Sequence, residues 1–337
     1  MLIHSFTSQG EDRVYYGFIG SSSFQYVLYS VLVISFAWFL IRSQTRSLIR
    51  TRKLLKEKEL ALSQIENQHA ELESKNKSIT DSLIYAQRIQ DALLPSEFYL
   101  KKYFSESFVL YKPKDIVSGD FYWSFEKEIK GKNKTTKYWY LAAVDCTGHG
   151  VPGAFMSMLG VAFLNEINST EQLLSPNEIL DHLRDKVLKH LHQTGEEGEN
   201  KDGTDISLMR LNLATNELQW SGANNPLYLI NKKEGNLITE IKPNKQPIGF
   251  NHEPHPFTNH SFQLNQGDSI YIFTDGYADQ FGGEKGKKFK YKQMQELFLT
   301  NNEKASNEQK IILDSTIETW RGNLEQVDDI CVMGVRI

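Results

Sequence analysis

"AAVDCTGHGVPGAFMSMLG", residues 142–160, brings an apolar run to a halt at Asp145, then sets Cys146, Thr147 and His149 between glycines before a second apolar pattern begins. The entering run, "KYWYLAAV" (137–144), has the length and β-branched and aromatic content of a strand, and the stretch from 152 to 168 has helical spacing, with Pro152 suited to a helix start. A polar strand-to-helix corner of this kind can serve a cysteine nucleophile with a histidine base, a zinc site, a phosphate-cradling loop or a carboxylate metal site. Cys331, the only other cysteine, belongs to a different strand, so no zinc set forms around Cys146, and no base is evident for its thiol. The loop also lacks the lysine of a P-loop. Asp145 is left as the residue of interest.

Working outward, short β-rich runs recur at 107–112, 120–126, 205–213, 217–223, 226–231, 237–242, 269–274 and 329–337, with turn signals such as "TNE" and "NQGD" between several of them. Helical patterns interrupt at 176–192 and 291–321. Strands gathered together with helices inserted at a few points predict an α+β fold, an antiparallel sandwich flanked by helices, over 95–337.

Upstream the texture differs. Residues 24–41, "FQYVLYSVLVISFAWFLI", carry no charge and are long enough at about 1.5 Å per residue to cross a hydrocarbon core. Arg42, Arg46, Arg50, Arg52 and Lys53 follow, whereas Glu11, Asp12 and a single Arg13 precede. This asymmetry predicts a single-pass inner-membrane anchor with a short extracytoplasmic N-terminus (1–23) and everything after 41 in the cytoplasm. A cleaved signal peptide fits worse, because no basic region precedes the run and no small-residue cleavage site follows. Residues 43–94 lack Gly and Pro and repeat every seven positions: Leu48, Leu55, Leu62 and Leu83 in one series, Ile65, Leu72, Ile79, Ala86 and Leu93 in the other. That seam predicts a coiled coil, read as a parallel homodimer, with His69 and Asn76 as polar positions able to set register. A net charge of −4 and no basic stripe argue against a nucleic-acid partner, and two cysteines imply no disulfide framework.

The acids carry the chemistry. Asp120, Asp145 and Asp275 each fall where a hydrophobic run meets a loop, and Asp328 and Asp329 open the last one. Any one of them could be turn chemistry. As a set, they could gather at one sheet rim, where clustered carboxylates need protons or cations and all-oxygen ligation suits Mg²⁺ or Mn²⁺.

"DIVSGDFYW", "VDCTGHGVPGAF", "IFTDGYAD" and "DDICVMGVRI" stand in the order and rough spacing of the metal-dependent PPM serine/threonine phosphatases, and "SLIYAQRIQDALLPS" resembles the helical lead-in of their SpoIIE branch. The resemblance covers roughly 83–337 and implies two antiparallel sheets packed face to face with helices outside. It implies two Mn²⁺ or Mg²⁺ ions bridged by Asp145, with the Cys146 carbonyl, Asp275 and Asp328 completing the shell and Asp120 contributing directly or through water. Asp329 is expected behind the ligands, and His149 near them. The implied reaction is hydrolysis of phosphoserine or phosphothreonine by a metal-activated water. The implied partner is a phosphorylated regulatory protein such as an anti-sigma-factor antagonist.

The chain departs from the eukaryotic pattern in two places. Cys146 and Thr147 replace the Gly and the proposed acid His after the bridging aspartate, and no arginine is evident for the substrate phosphate; Lys112 and Lys114 are the nearby cations. Asp202 and Asp205 could assist a metal or make a turn. The glycine-rich, basic stretch 276–291 reads as a flap or a solvated loop. A catalytically silent phosphoprotein-binding module of the same fold is the alternative, and a metal-dependent phosphodiesterase or nuclease is a third reading.

Overall fold

The computed structural model describes residues 22–337 except 132–133, 197, 200–201, 234 and 236. The expected extracytoplasmic segment therefore lies almost wholly outside the described residues. Contacts divide the chain into Met1–Ile79 and Thr80–Ile337.

The first unit is described by most of α1 (Ser22–Leu93), a single helix of 72 residues. No Gly or Pro interrupts it until Pro95, which cannot continue a helix. Its apolar N-terminal part has a mean hydropathy of 1.9 and none of it is buried, so by length and composition it can cross a membrane. Beyond it, charges alternate along the helix, and pairs one turn apart form, such as Glu71–Lys75 at 2.6 Å.

The second unit adds α2 (Glu97–Lys101), β1 (Ser107–Lys112), β2 (Phe121–Lys130), β3 (Thr135–Cys146), α3 (Gly150–Asn168) and α4 (Pro176–His190). There follow β4 (Thr204–Asn212), β5 (Glu217–Ala223), β6 (Leu227–Asn231), β7 (Leu237–Ile241), β8 (His260–Gln263) and β9 (Ser269–Phe273). The chain closes with α5 (Gly276–Asp279), β10 (Phe281–Gly282), β11 (Lys287–Lys288), α6 (Tyr291–Asn301), α7 (Ser306–Arg321) and β12 (Ile330–Arg336). Two antiparallel five-stranded sheets form, ordered β1-β12-β9-β6-β7 and β2-β3-β4-β5-β8, and β10-β11 is a separate small hairpin.

Strand β3 explains the layering. Trp139, Leu141 and Ala143 face the other sheet with Met209, Trp220, Ile270, Ile272, Cys331 and Met333. Tyr140, Ala142 and Val144 face α3 and α4 with Phe163, Leu164, Ile179 and Leu183. With both faces covered, the strand reads as one continuous apolar run rather than an alternation. On the far side, Tyr271, Phe273, Phe298, Leu313 and Ile317 pack α6 and α7 against the first sheet. The sandwich is thus four layers, helix–sheet–sheet–helix, as the resemblance implied. Each large side chain buried in it contributes roughly 1.5–3 kcal/mol. Helix α3 is also apolar enough for a membrane by composition, but 44% of its window is buried in this core.

Three details differ from expectation. The helix expected over 291–321 is two helices, broken after Asn301, where the buried Asn302 and Gln309 side chains both meet the Tyr271 hydroxyl. Edge strand β8, "HSFQ", lacks the apolar pattern that flags a strand, yet it pairs with β5 from Glu217 to Trp220. Helix α3 starts at Gly150, two residues ahead of Pro152.

Candidate active site

Period-two geometry decides where the acids go. Asp145 shares the face of Leu141 and Ala143, so it lies between the sheets at the end of β3, directly opposite Asp205 on β4. Asp120 precedes β2, and Asp328 and Asp329 precede β12, at the same rim. Asp275 caps α5 just after β9.

Glycines let these ends close up. A Cβ at Gly119 or at Gly153 would fall 2.3 Å from the Gly148 carbonyl oxygen, so the loop before Asp120 stacks on the loop after Asp145 only without side chains there. A Cβ at Gly276 would fall 2.0 Å from the Asp329 carbonyl oxygen, so the residue after Asp275 must be glycine for β9 and β12 to end side by side.

The electrostatics are those of crowded buried anions. Burial, then the charge of Asp145, raises the Asp120 carboxyl well above the usual range, with Asp329 and Asp328 adding to it. Burial raises Asp145 likewise, reinforced by Asp275, Asp205 and Asp328. Asp275 is pushed up to about 6 by burial and by the charges of Asp279 and Asp328. Asp120 Oδ2 is buried and has no hydrogen-bond partner among the described residues. Among the described residues no three His, Cys, Asp or Glu side chains close on one point as a finished metal cluster. Even so, an unpartnered carboxylate oxygen among repelling acids fits a site that takes a hard divalent cation through oxygen ligands.

Asp329 behaves differently from its neighbours. Its Oδ1 accepts the Lys114 N–H and its Oδ2 the Gly119 N–H, both at 2.7 Å, so it brackets the loop that leads to Asp120. Cys146 turns its side chain toward the α3–α4 side, 3.8 Å from Thr204 Oγ1, and burial raises its thiol pKa. The Cys146 carbonyl oxygen faces Gly119, 3.4 Å from where a Cβ would sit.

At the mouth, His149 Nδ1 lies 2.7 Å from Asp115 Oδ2 and its Nε2 lies 3.0 Å from Lys114 Nζ. The ammonium can only donate, so Nε2 accepts and the Nδ1 proton points to Asp115. The two nearby cations therefore part company: Lys112 is held by Asp314 at 2.5 Å and Glu318 at 2.8 Å, while Lys114 stays beside the acids.

Two further residues belong to this site: Asp205, left open between metal and turn in the sequence, and Gln90, which the sequence did not single out. Asp205 faces Asp145 across the β3–β4 ladder and is tied to Asn224 at 2.9 Å; its pairing is only readable once the register is known. Gln90, near the end of α1 and within the second unit, donates to the Ser118 carbonyl (2.6 Å) and to Ser157 Oγ (2.7 Å) and accepts the Ser118 N–H (3.0 Å). It holds the peptide two residues before Asp120, and nothing in a polar helix marks it in advance. A cavity of about 850 Å³ bordered by Lys102, Lys232 and Arg336 lies at the opposite strand ends and has no part in this chemistry.

Comparison with known proteins agrees with this geometry. The family described as stage II sporulation protein E (SpoIIE) matches residues 135–337. No curated protein matches the chain. Among solved structures, the SiaA-PP2C domain of Pseudomonas aeruginosa superposes with a TM-score of 0.66 at 30% identity, over 78% of this chain and 98% of that one. The PP2C phosphatase domain of SpoIIE from Bacillus subtilis, solved with a fragment of its regulatory domain, gives a TM-score of 0.53 at 18% identity. That likeness spans 69% of this chain and 63% of that one, and is one of fold. With the family match over more than half its length and the four-layer sandwich around the acid rim, the chain belongs to the SpoIIE family and carries a PP2C-type serine/threonine phosphatase fold.

Proposed function

We propose that this chain is a membrane-anchored protein phosphatase that hydrolyses phosphoserine or phosphothreonine on a regulatory protein. The observation that carries the reading is the convergence of Asp120, Asp145, Asp275 and Asp328 at one rim, with a buried Asp120 oxygen that nothing among the described residues satisfies. In this reading Asp145, the Cys146 carbonyl, Asp275, Asp328 and Asp120 would hold two Mn²⁺ or Mg²⁺ ions. Bound there, divalent ions supply charge neutralisation for a phosphoryl group and acidify a water molecule at neutral pH. Asp329 keeps the Asp120 loop in place through two backbone N–H groups. Lys114, oriented by His149 and Asp115, supplies positive charge at the mouth where a substrate phosphate enters.

Residues 24–41 anchor the chain, and the basic flank after them keeps the catalytic domain (95–337) in the cytoplasm. The heptad series over 43–94 supports a parallel homodimer. Because α1 is continuous to Leu93 and Gln90 lies on it, a twist or register shift in that helix has a route to the Ser118 peptide and so to Asp120. The family resemblance supports a phosphorylated anti-sigma-factor antagonist as the kind of substrate.

Asp145→Asn and Asp275→Asn are each expected to lower Mn²⁺-stimulated phosphate release from a phosphoserine protein by more than about 100-fold, beyond the loss usual for residues that only support metal ligands. Unchanged turnover in both variants sinks the assignment. Tight binding of the phosphoprotein with no release in saturating Mn²⁺ selects the catalytically silent module instead.

A further inference from the structure

Between Asp275 and α6 lies a strip of charge that the acid site does not use. Residues 284–292 contain five lysines and one glutamate in a chain of net charge −4. The strip is built on a firm base. In the β10–β11 hairpin, Phe281 pairs with Lys288 and Gly282 with Lys287. Gly283 N–H donates to the Trp320 carbonyl at 2.7 Å, and a Cβ at Gly282 would fall 1.9 Å from that same oxygen. Phe289 is buried edge-on against Trp320, with ring centroids 5.4 Å apart, and the Phe289 and Lys290 N–H groups close back onto Gln280 and Ala278.

From this base Lys285, Lys287, Lys290 and Lys292 project as exposed side chains with no ion pair among the described residues. Lys288, by contrast, is engaged with Asp279 at 2.7 Å. Lys290 also holds a positive φ of 74°, a conformation uncommon for a residue with a side chain. The strip is contiguous with the acids. Four-residue α5 joins it to Asp275, and Tyr291, between Lys290 and Lys292, has its hydroxyl pKa raised by burial and by the charges of Asp275, Asp279 and Asp145.

A phosphoprotein approaching a rim of carboxylates meets like charge, which slows encounter; an adjoining cationic strip reverses that field for an acidic partner. The lysines are spread over the hairpin, the bend after it and the first turn of α6 rather than clustered at one point, so they match an extended acidic segment better than a single phosphate. We infer that Lys285, Lys287, Lys290 and Lys292 form a docking strip for acidic residues flanking the phosphorylated site of a protein substrate. This rests on the phosphatase reading for its geometry, since the phosphate is taken to sit at the acid rim.

The test uses the full chain in detergent and two synthetic phosphoserine peptides, one with Asp/Glu flanks and one with Ala/Ser flanks, together with p-nitrophenyl phosphate. The unaltered chain is expected to favour the acidic peptide by about tenfold in kcat/KM at low salt, with the preference shrinking as salt is raised. The variant Lys285→Glu/Lys287→Glu/Lys290→Glu/Lys292→Glu is expected to lose or reverse that preference while hydrolysis of p-nitrophenyl phosphate stays within about twofold. Equal treatment of both peptides by the unaltered chain, or an equal loss on all three substrates in the variant, overturns the inference. Fluorescence anisotropy of the labelled acidic peptide in EDTA separates docking from turnover. Binding that the variant loses, together with no hydrolysis by either chain once saturating Mn²⁺ replaces the EDTA, supports the strip and rejects the phosphatase. Binding that the variant retains rejects the strip. Displacement of the peptide by transfer RNA or phosphatidylserine vesicles at concentrations about tenfold below those of unlabelled acidic peptide assigns the lysines to a different anion and also overturns it.

Discussion

Strands β1 and β12 run side by side and carry charged residues at both ends, but the two ends resolve their charge in opposite ways. At one end Arg336 Nη2 meets Glu106 at 2.8 Å, Arg336 Nη1 donates to the Asn302 and Lys304 carbonyls, and Glu106 accepts the Ser306 N–H. Both charged groups there have partners within the chain. At the other end Asp120, Asp328 and Asp329 crowd against Asp145 and Asp275, and one buried Asp120 oxygen has no partner among the described residues. A charge whose partners are all internal stabilises the fold. A buried charge left without them costs stability and calls for a ligand from outside. The difference between the ends, rather than the presence of charge, marks the functional one.

The largest expected effect that separates the ends is the loss of turnover on replacing Asp145 or Asp275. Next comes Gln90→Ala, which removes the acceptor of the Ser118 N–H and the shorter of two hydrogen bonds to its carbonyl, and so loosens the loop before Asp120. It is expected to weaken Mn²⁺ activation by about 10–100-fold, with turnover recovering in excess Mn²⁺. An unchanged activation constant removes Gln90 from the positioning machinery.

A smaller, thermal effect has the opposite sign from most core substitutions. Asp120→Asn removes a buried unpaired charge, so the metal-free variant is expected to melt a few degrees above the unaltered metal-free chain and to gain less from added Mn²⁺. The pH dependence follows from the same crowding. A carboxyl raised in the fold, as Asp275 is to about 6, holds its proton more tightly folded than unfolded. Metal-free stability from this group therefore rises as pH falls through 6 and declines as pH rises, and the Mn²⁺-induced gain in Tm should be larger at pH 7.5 than at pH 5. A melting temperature indifferent to both metal and pH contradicts the crowded-acid picture. The smallest effect belongs to the satisfied end. Arg336→Ala is expected to cost about 1 kcal/mol, because the pair is partly exposed, and to leave hydrolysis of p-nitrophenyl phosphate unchanged.

Much of this was legible in the chain, for reasons that differ by element. Strand β3 announces itself because burial on both faces removes any need for polar residues until Asp145. The flanking acids stand out because an apolar strand gains nothing by ending in a carboxylate. The break at Asn301 was not legible, since no Gly or Pro marks it and its turn is held by buried contacts of Asn302 and Gln309 with Tyr271. Strand β8 was missed because an edge strand with one open side needs little apolar pattern.

Local pattern alone determined the apolar and heptad character of 24–94, the strand-rich texture after Pro95 and the acids at strand ends, because each of these depends on neighbours a few residues away. Tertiary structure decided which acids meet. Strand register set Asp205 against Asp145, Gly119 and Gly153 allowed two loops to stack, Gly276 let β9 and β12 end side by side, and Asp329 spent its oxygens on backbone N–H groups. It also decided that Gln90 reaches the Ser118 peptide, that Lys112 is neutralised while Lys114 is not, and that the lysines of the hairpin border the acid rim. Those outcomes depend on side chains up to 215 positions apart in sequence, and only a packed sheet brings such partners within hydrogen-bonding distance.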